Sequence, residues 1–227
     1  MITFSLLLTI YAGFTHAFEA DHLLAVSNIV SQRDHVWSSI KDGIFWGLGH
    51  SSTIILIGIL MILFKVGISE HSFHYFEASV GLMLIALAVY RLYKFFKNSK
   101  VVLHQHTHNH GTGEHKHIHI HYGNAKQNHQ HTHSLAYGVG LVHGLAGSGA
   151  LVIIAMTNIK SPGEGVLFLV VFSLGCILGM LVAAGLFSVP FSKKLIQAPI
   201  LQSILIIVTS ALCLAYGGMV IYNNLII

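Results

Sequence analysis

The chain has 227 residues, 54% of them hydrophobic and only 9% charged, with a mean hydropathy of +0.71. That composition excludes an ordinary soluble domain and indicates an integral membrane protein. The formal net charge of +4 is divided among loops that flank apolar segments and forms no patch suited to nucleic acid, so a nucleic-acid partner is not expected.

Apolar runs fall at about 2–30, 43–66, 74–97, 134–158, 164–188 and 200–223. Each is long enough to cross a hydrocarbon layer of ~30 Å at 1.5 Å per residue. Backbone in lipid must satisfy its own hydrogen bonds, and the ten-residue alternation of a barrel is absent, so the runs read as helices. The expected fold class is therefore an all-α integral membrane protein with six transmembrane helices. The expected units are a first three-helix repeat (1–97), a His-rich loop (98–133) and a second three-helix repeat (134–227).

The first run lacks a basic leading region and a small-residue cleavage site, and reads as a retained helix, not a signal peptide. It carries His16-Ala-Phe-Glu19-Ala-Asp21-His22, four ionisable side chains in two turns of otherwise apolar sequence. Ionisable groups at membrane depth are costly and usually functional. On a regular helix His16, Glu19 and His22 share an arc of about 120° while Asp21 points elsewhere. The set converges on one ion only if the helix is distorted or a neighbour meets it. Imidazole with carboxylate suits divalent first-row metals such as Ni²⁺, Co²⁺ and Zn²⁺. The plainer reading is a histidine bonded to a carboxylate to fasten two helices.

A short turn with Arg33, Asp34 and Asp42 leads to the second helix, where Gly43-Ile-Phe-Trp46-Gly-Leu-Gly49-His50-Ser51-Ser52-Thr53 sets one histidine among small residues that let backbones approach. His50 is the natural partner of the first helix, although a lone His there could also bond a carbonyl. His71 and His74, beside Glu70 and Glu77, read as solvated interface groups more readily than as a funnel to the site.

The 98–133 loop holds His104, His106, His108, His110, His115, His117, His119, His121, His129, His131 and His133, eleven of the eighteen histidines. In an extended strand each His-x-His run offers several imidazoles on one side, an accessory metal-binding arm of low selectivity. A low-complexity spacer is its plain alternative. Ten of the twelve Lys and Arg lie in the loops after the first, third and fifth helices, and only Lys65 and Lys160 lie opposite. The positive-inside rule then puts the loop in the cytoplasm and both termini outside.

The second half echoes the first. Gly13-Phe-Thr-His16 returns as Gly140-Leu-Val-His143, and Trp46-Gly-Leu-Gly49-His50 as Phe172-Ser-Leu-Gly175-Cys176. Three helices per half gives the halves opposite orientation, so the repeats are inverted, as in secondary transporters. His143 is then expected opposite His16, giving a metal set of His16, Glu19, Asp21, His22, His50 and His143. Ser161-Pro162-Gly163-Glu164 is a helix start with N-cap, first-turn Pro and capping-box Glu. Cys176 and Cys213 read as small buried hydrophobes.

His16-x-x-x-x-Asp21-His22 followed by Gly47-Leu-Gly49-His50-Ser51-Ser52 resembles the signature pair of the nickel/cobalt transporter superfamily. His143-Gly-Leu-Ala-Gly-Ser148 resembles its smaller, urease-accessory-like members. The resemblance implies secondary transport of Ni²⁺ or Co²⁺ across the cytoplasmic membrane, with the matched His and Asp residues as binding groups. The metal is substrate, and no permanent cofactor is expected. Asp21 and the second motif match the uptake branch, whereas the six-helix count and the His-rich loop resemble the exporter branch; uptake is favoured. No nucleotide-binding loop is visible. An intramembrane zinc metalloenzyme holding Zn²⁺ on His16, Asp21, His22 and His50 is the alternative, with transport rather than enzymatic turnover preferred. A thiol-redox conduit would want a cysteine in each half, and both lie in the second.

Overall fold

The computed structural model describes residues 2–64, 70–98, 101–109, 114–122, 133–146, 161–192 and 199–225. Its helices are α1 (Ile2–His16), α2 (Ala20–Val30), α3 (Val36–Phe64), α4 (Glu70–Asn98), α5 (Ser134–Ala146), α6 (Pro162–Ser188) and α7 (Pro199–Leu225), with a single 3₁₀ turn at Val189–Phe191. Between α4 and α5 the backbone of β1 (Val101–Asn109) pairs antiparallel with β2 (Glu114–Tyr122). Apart from this hairpin every described element is helical.

The expected first helix is not continuous. It breaks between His16 and Ala20, giving helices of 15 and 11 residues. Two short-range bonds close α1, from Phe18 N to Thr15 O (2.9 Å) and from Glu19 N to His16 O (3.1 Å). Glu19 then takes an extended backbone (φ −66°, ψ 156°) as N-cap of α2. Its carboxylate makes no cap bond, because it is turned back on His16 Nδ1 at 2.8 Å. Broken helices at membrane depth are tolerated where the freed backbone lines an internal site.

Among the described residues four helices are long and apolar enough to cross a membrane: those at Val36–Phe64, His71–Lys97, Pro162–Phe191 and Ile200–Leu225. The second expected helix starts earlier than 43 because Val36–Lys41 continue the same helical run, which takes Asp42 out of the expected turn and into α3. Helix α5 ends at Ala146, and 147–158 of the expected fourth helix lie outside the described residues. The start of α6 follows its sequence signal: Ser161 Oγ accepts from Glu164 N at 3.3 Å, with Pro162 in the first turn.

Helix α3 is central, packed on one side by α5 and on another by α6; α1 lies on α6, and α4 on α7. Backbones meet closely at glycines. A Cβ on Gly13 would fall on the carbonyl oxygen of Phe172 and 3.1 Å from Cys176 N, and one on Gly140 would fall on the carbonyl oxygen of Trp46 and 2.8 Å from His50 N. Hydroxyls add cross-helix bonds: Ser51 Oγ donates to Ser173 O (3.3 Å) and Thr53 Oγ1 to Leu141 O (3.1 Å). The short α2 is bolted to α7 by Ser210 Oγ donating to Asn28 Oδ1 at 3.0 Å. Leu7, Leu63 and Ile200 are among many large apolar side chains turned outward, the arrangement lipid permits.

At one end of the bundle Asp42, 1% exposed, accepts from Arg33 Nε (2.5 Å) and Nη2 (2.8 Å) and pairs with His133 Nδ1 (2.7 Å). The ring of His133 also stacks on Phe45, with centroids 5.1 Å apart. At the other end His74 Nδ1 meets Asn224 Oδ1 at 2.8 Å, and Tyr75 OH meets His71 Nε2 at 3.3 Å. These last contacts fit the interface reading of both histidines.

Candidate metal site

The break in the first segment rotates the motif residues onto one interior point. His16 ends α1, while Asp21 and His22 open α2, so the two histidines need not obey one helical arc. Helix α3 brings His50 and α5 brings His143. Ring centroids are 4.7 Å apart for His16 and His22, 5.3 Å for His16 and His50, 5.3 Å for His22 and His50, and 4.6 Å for His22 and His143. His22, His50 and His143 are fully buried, and His16 nearly so.

Two sets of three ligand atoms result, one from His16, His22 and His50 and one from Asp21, His22 and His143, each within 4.8 Å of one another. Donors around a tetrahedral metal with ~2.1 Å bonds lie about 3.4 Å apart, so side-chain adjustments of roughly an ångström would close either set. His22 belongs to both.

The ring nitrogens supply the chemical test of fit. Nε2 of His16, Nε2 of His22 and both nitrogens of His50 are buried without a hydrogen-bond partner. Leaving such a group unpaired costs about 1–3 kcal/mol each, and native interiors seldom tolerate a cluster of them. The remaining nitrogens on the His16 and His22 rings are taken up by carboxylates. Glu19 Oε1 lies 2.8 Å from His16 Nδ1, and Asp21 Oδ1 lies 3.0 Å from His22 Nδ1. That pattern orients an imidazole and frees its Nε2 for a metal, as carboxylates commonly do around metal-binding histidines. A divalent cation with nitrogen and carboxylate preferences fits these groups.

Of the expected set, His16, Asp21, His22, His50 and His143 are brought together. Glu19 stands outside it, half exposed, with its carboxylate on the far side of His16. Cys176 is buried in α6 against Phe172 and is not among the convergent groups; Cys213 Sγ donates to Leu84 O at 3.3 Å. Trp46 packs against both His22 and His143, with centroids 5.5 and 5.6 Å away.

In the hairpin the backbone register sets His104 opposite His119, His106 opposite His117 and His108 opposite His115, while His121 lies opposite Val102. His110, His129 and His131 fall outside the described residues. His133 differs from the expectation of a free loop ligand, because Asp42 takes its Nδ1. Sequence reasoning missed this Arg33–Asp42–His133 cluster; the signal was an acidic residue at the start of an apolar helix, which demands a buried cation or donor.

The chain matches the family model described as cytochrome C biogenesis protein transmembrane region over residues 12–218. Among curated proteins, the urease accessory protein UreH of Bacillus sp. (strain TB-90) is 33% identical over 214 residues, covering 93% of this chain and 87% of that protein. The high-affinity nickel transport protein of Cupriavidus necator is 29% identical over 83 residues, covering 35% of this chain and 24% of that protein. No solved structure matches the chain.

Proposed function

From a chain that belongs to the family of cytochrome C biogenesis protein transmembrane regions, and that is related along nearly its whole length to a urease accessory protein, we propose a secondary transporter of Ni²⁺ or Co²⁺ in the cytoplasmic membrane. The observation that carries this reading is the convergence of four buried imidazoles and Asp21 at the break between α1 and α2, with ring nitrogens of His16, His22 and His50 left unpaired. A nickel transport protein among the relatives is consistent with the choice of ion. The ion is substrate: it exchanges its hydration shell for Nε2 donors pre-aimed by Glu19 and Asp21. His22, common to both ligand sets, is the group through which it would pass.

The proposed architecture is two inverted three-helix repeats, with both termini outside and the His-rich hairpin in the cytoplasm. Glycine contacts support the repeat. Gly13 meets Phe172 and Cys176, while Gly140 meets Trp46 and His50, and the sequence echo pairs those residues one for one. Gly175 likewise meets Ile10 and Phe14 where Gly49 meets Tyr137 and Leu141. Cys176 then occupies the place that His50 holds in the first half. This arrangement accounts for a thiol on α6 without requiring a thiol relay.

The direction proposed is uptake. A cytoplasmic chelating arm lowers the free concentration of the arriving ion, and binding on one side draws the equilibrium to that side.

The test is flux of radioactive Ni²⁺ and Co²⁺ into proteoliposomes of defined orientation, with whole-cell accumulation at trace external Ni²⁺ for direction. Flux no greater than in empty liposomes would end the transport reading. Metal retained one per chain through purification, without flux, would favour a resident zinc site instead. Cells holding less metal than vector controls would reverse the direction.

A further inference from the structure

Where the last turn of α2, the end of α4, the 3₁₀ turn and the first turns of α7 meet, they enclose a cavity of about 120 Å³ lined by Ser31, Gln32, Arg33, Arg91, Lys94 and Gln202 among others. A water molecule takes about 30 Å³ of liquid volume, so the space admits a group several times larger.

Its charges are unbalanced. Arg33 is neutralised by its two-pronged contact with Asp42. Arg91 is only 7% exposed, yet its bonds go to neutral oxygens, from Nε to Ser31 Oγ (2.7 Å) and from Nη2 to Ser31 O (2.8 Å). Lys94 Nζ donates to Gln32 Oε1 at 3.0 Å, again a neutral acceptor. Among the described residues neither cation forms a salt bridge. Asp34 also lines the cavity and has an interaction of its own, and the lining still carries three cationic side chains to this one carboxylate. A guanidinium carries five N–H donors and an ammonium three, so these contacts use two and one of them. Burying a cation without an anion is strongly disfavoured, and a guanidinium beside an ammonium is matched by the several oxygens of a phosphate.

We propose that the Arg91–Lys94 cavity is a phosphate-binding site, taking either the headgroup of an anionic phospholipid or free inorganic phosphate. The basic end of a membrane bundle lies at headgroup depth, where basic pockets between helices collect such groups. Ser31 is the C-cap of α2. Phosphate held by Arg91 therefore steadies one end of the short helix whose other end carries Asp21 and His22. This inference stands on the cavity and its charges, independently of what the histidines bind.

The experiment uses the full-length protein in maltoside micelles, titrated with inorganic phosphate, with dihexanoyl-phosphatidylglycerol and with dihexanoyl-phosphatidylcholine, against sodium chloride at matched ionic strength. The expected result is a rise in Tm of roughly 3 °C at saturation with phosphate or phosphatidylglycerol. Response to phosphate identifies a free anion site; response to phosphatidylglycerol alone identifies a lipid site. Lys94→Gln should weaken the midpoint about fivefold. Lys97→Gln should leave it unchanged, since Lys97 is exposed, bonds Tyr93 and does not line the cavity. Arg91→Lys should weaken it further if the variant folds, and Lys94→Gln carries the test if it does not. Equal responses to chloride or phosphatidylcholine, or equal weakening by Lys94→Gln and Lys97→Gln, would overturn the proposal.

Discussion

Asp21 holds His22 by its Nδ1, with Oδ1 at 3.0 Å, and its second oxygen lies 3.7 Å from His143 Nε2 in the other half of the chain. One carboxylate thus orients a neighbour on its own helix and faces a histidine on another. Fixing the proton at Nδ1 leaves the lone pair of His22 at Nε2, among the rings of His16 and His50. Asp21 would also supply the negative charge that a divalent cation held here requires.

Asp21→Asn is therefore expected to fold normally and bind poorly. The loss should be about 10- to 100-fold in Ni²⁺ affinity, the range seen when a carboxylate partner of a ligating histidine is removed. Equilibrium dialysis on purified protein measures it, and unchanged affinity would remove Asp21 from the site.

His50→Leu should separate function from stability. Both ring nitrogens of His50 are buried without partners, and replacing an unsatisfied polar group by an apolar one of similar size is neutral or stabilising. Metal flux should disappear while the metal-free Tm stays level or rises. A fall of several degrees would show that His50 fastens helices instead.

Gly140→Ala should destabilise the bundle, because the new methyl meets the Trp46 carbonyl; overpacking of this kind costs about 1–3 kcal/mol. Gly138→Ala, two positions away on the same helix with nothing within 4 Å, should be neutral or gain up to about 1 kcal/mol from helix propensity. The difference in Tm between the two variants reads the contact directly.

Deleting residues 104–131 should lower the number of metal ions bound per molecule and leave flux measurable, since the convergent histidines lie in the helices. The deletion stops short of His133, which pairs with buried Asp42. Complete loss of flux in a well-folded deletion would make the arm an obligatory relay.

The membrane class and most elements of the candidate site were legible in the chain: long apolar runs, an improbable cluster at His16–His22, and lone histidines at His50 and His143. The break at Ala17–Glu19 was not. Ala-Phe-Glu contains no Pro or Gly, and the turn is held by the Glu19 carboxylate bonding back to His16 in place of a cap, a choice that tertiary packing makes. Nor could sequence place Asp42 beside His133, 91 residues away. A pairing of that kind depends on where α3 and α5 cross, and their crossing is fixed by backbone contacts at glycines, which carry no side-chain signature.

The Asp42–His133 contact also has a kinetic meaning. The chain leaves α4 at Asn98 and re-enters the bundle at His133, so the histidines between them are tethered at both ends. Groups confined by a short tether reach effective concentrations in the millimolar range. An ion released at that end would be recaptured many times before escaping to bulk. How long it stays near the protein would then depend more on the length of the loop than on the strength of any one imidazole. Lengthening the arm with inert residues, histidines unchanged, would speed escape without altering the intrinsic affinity.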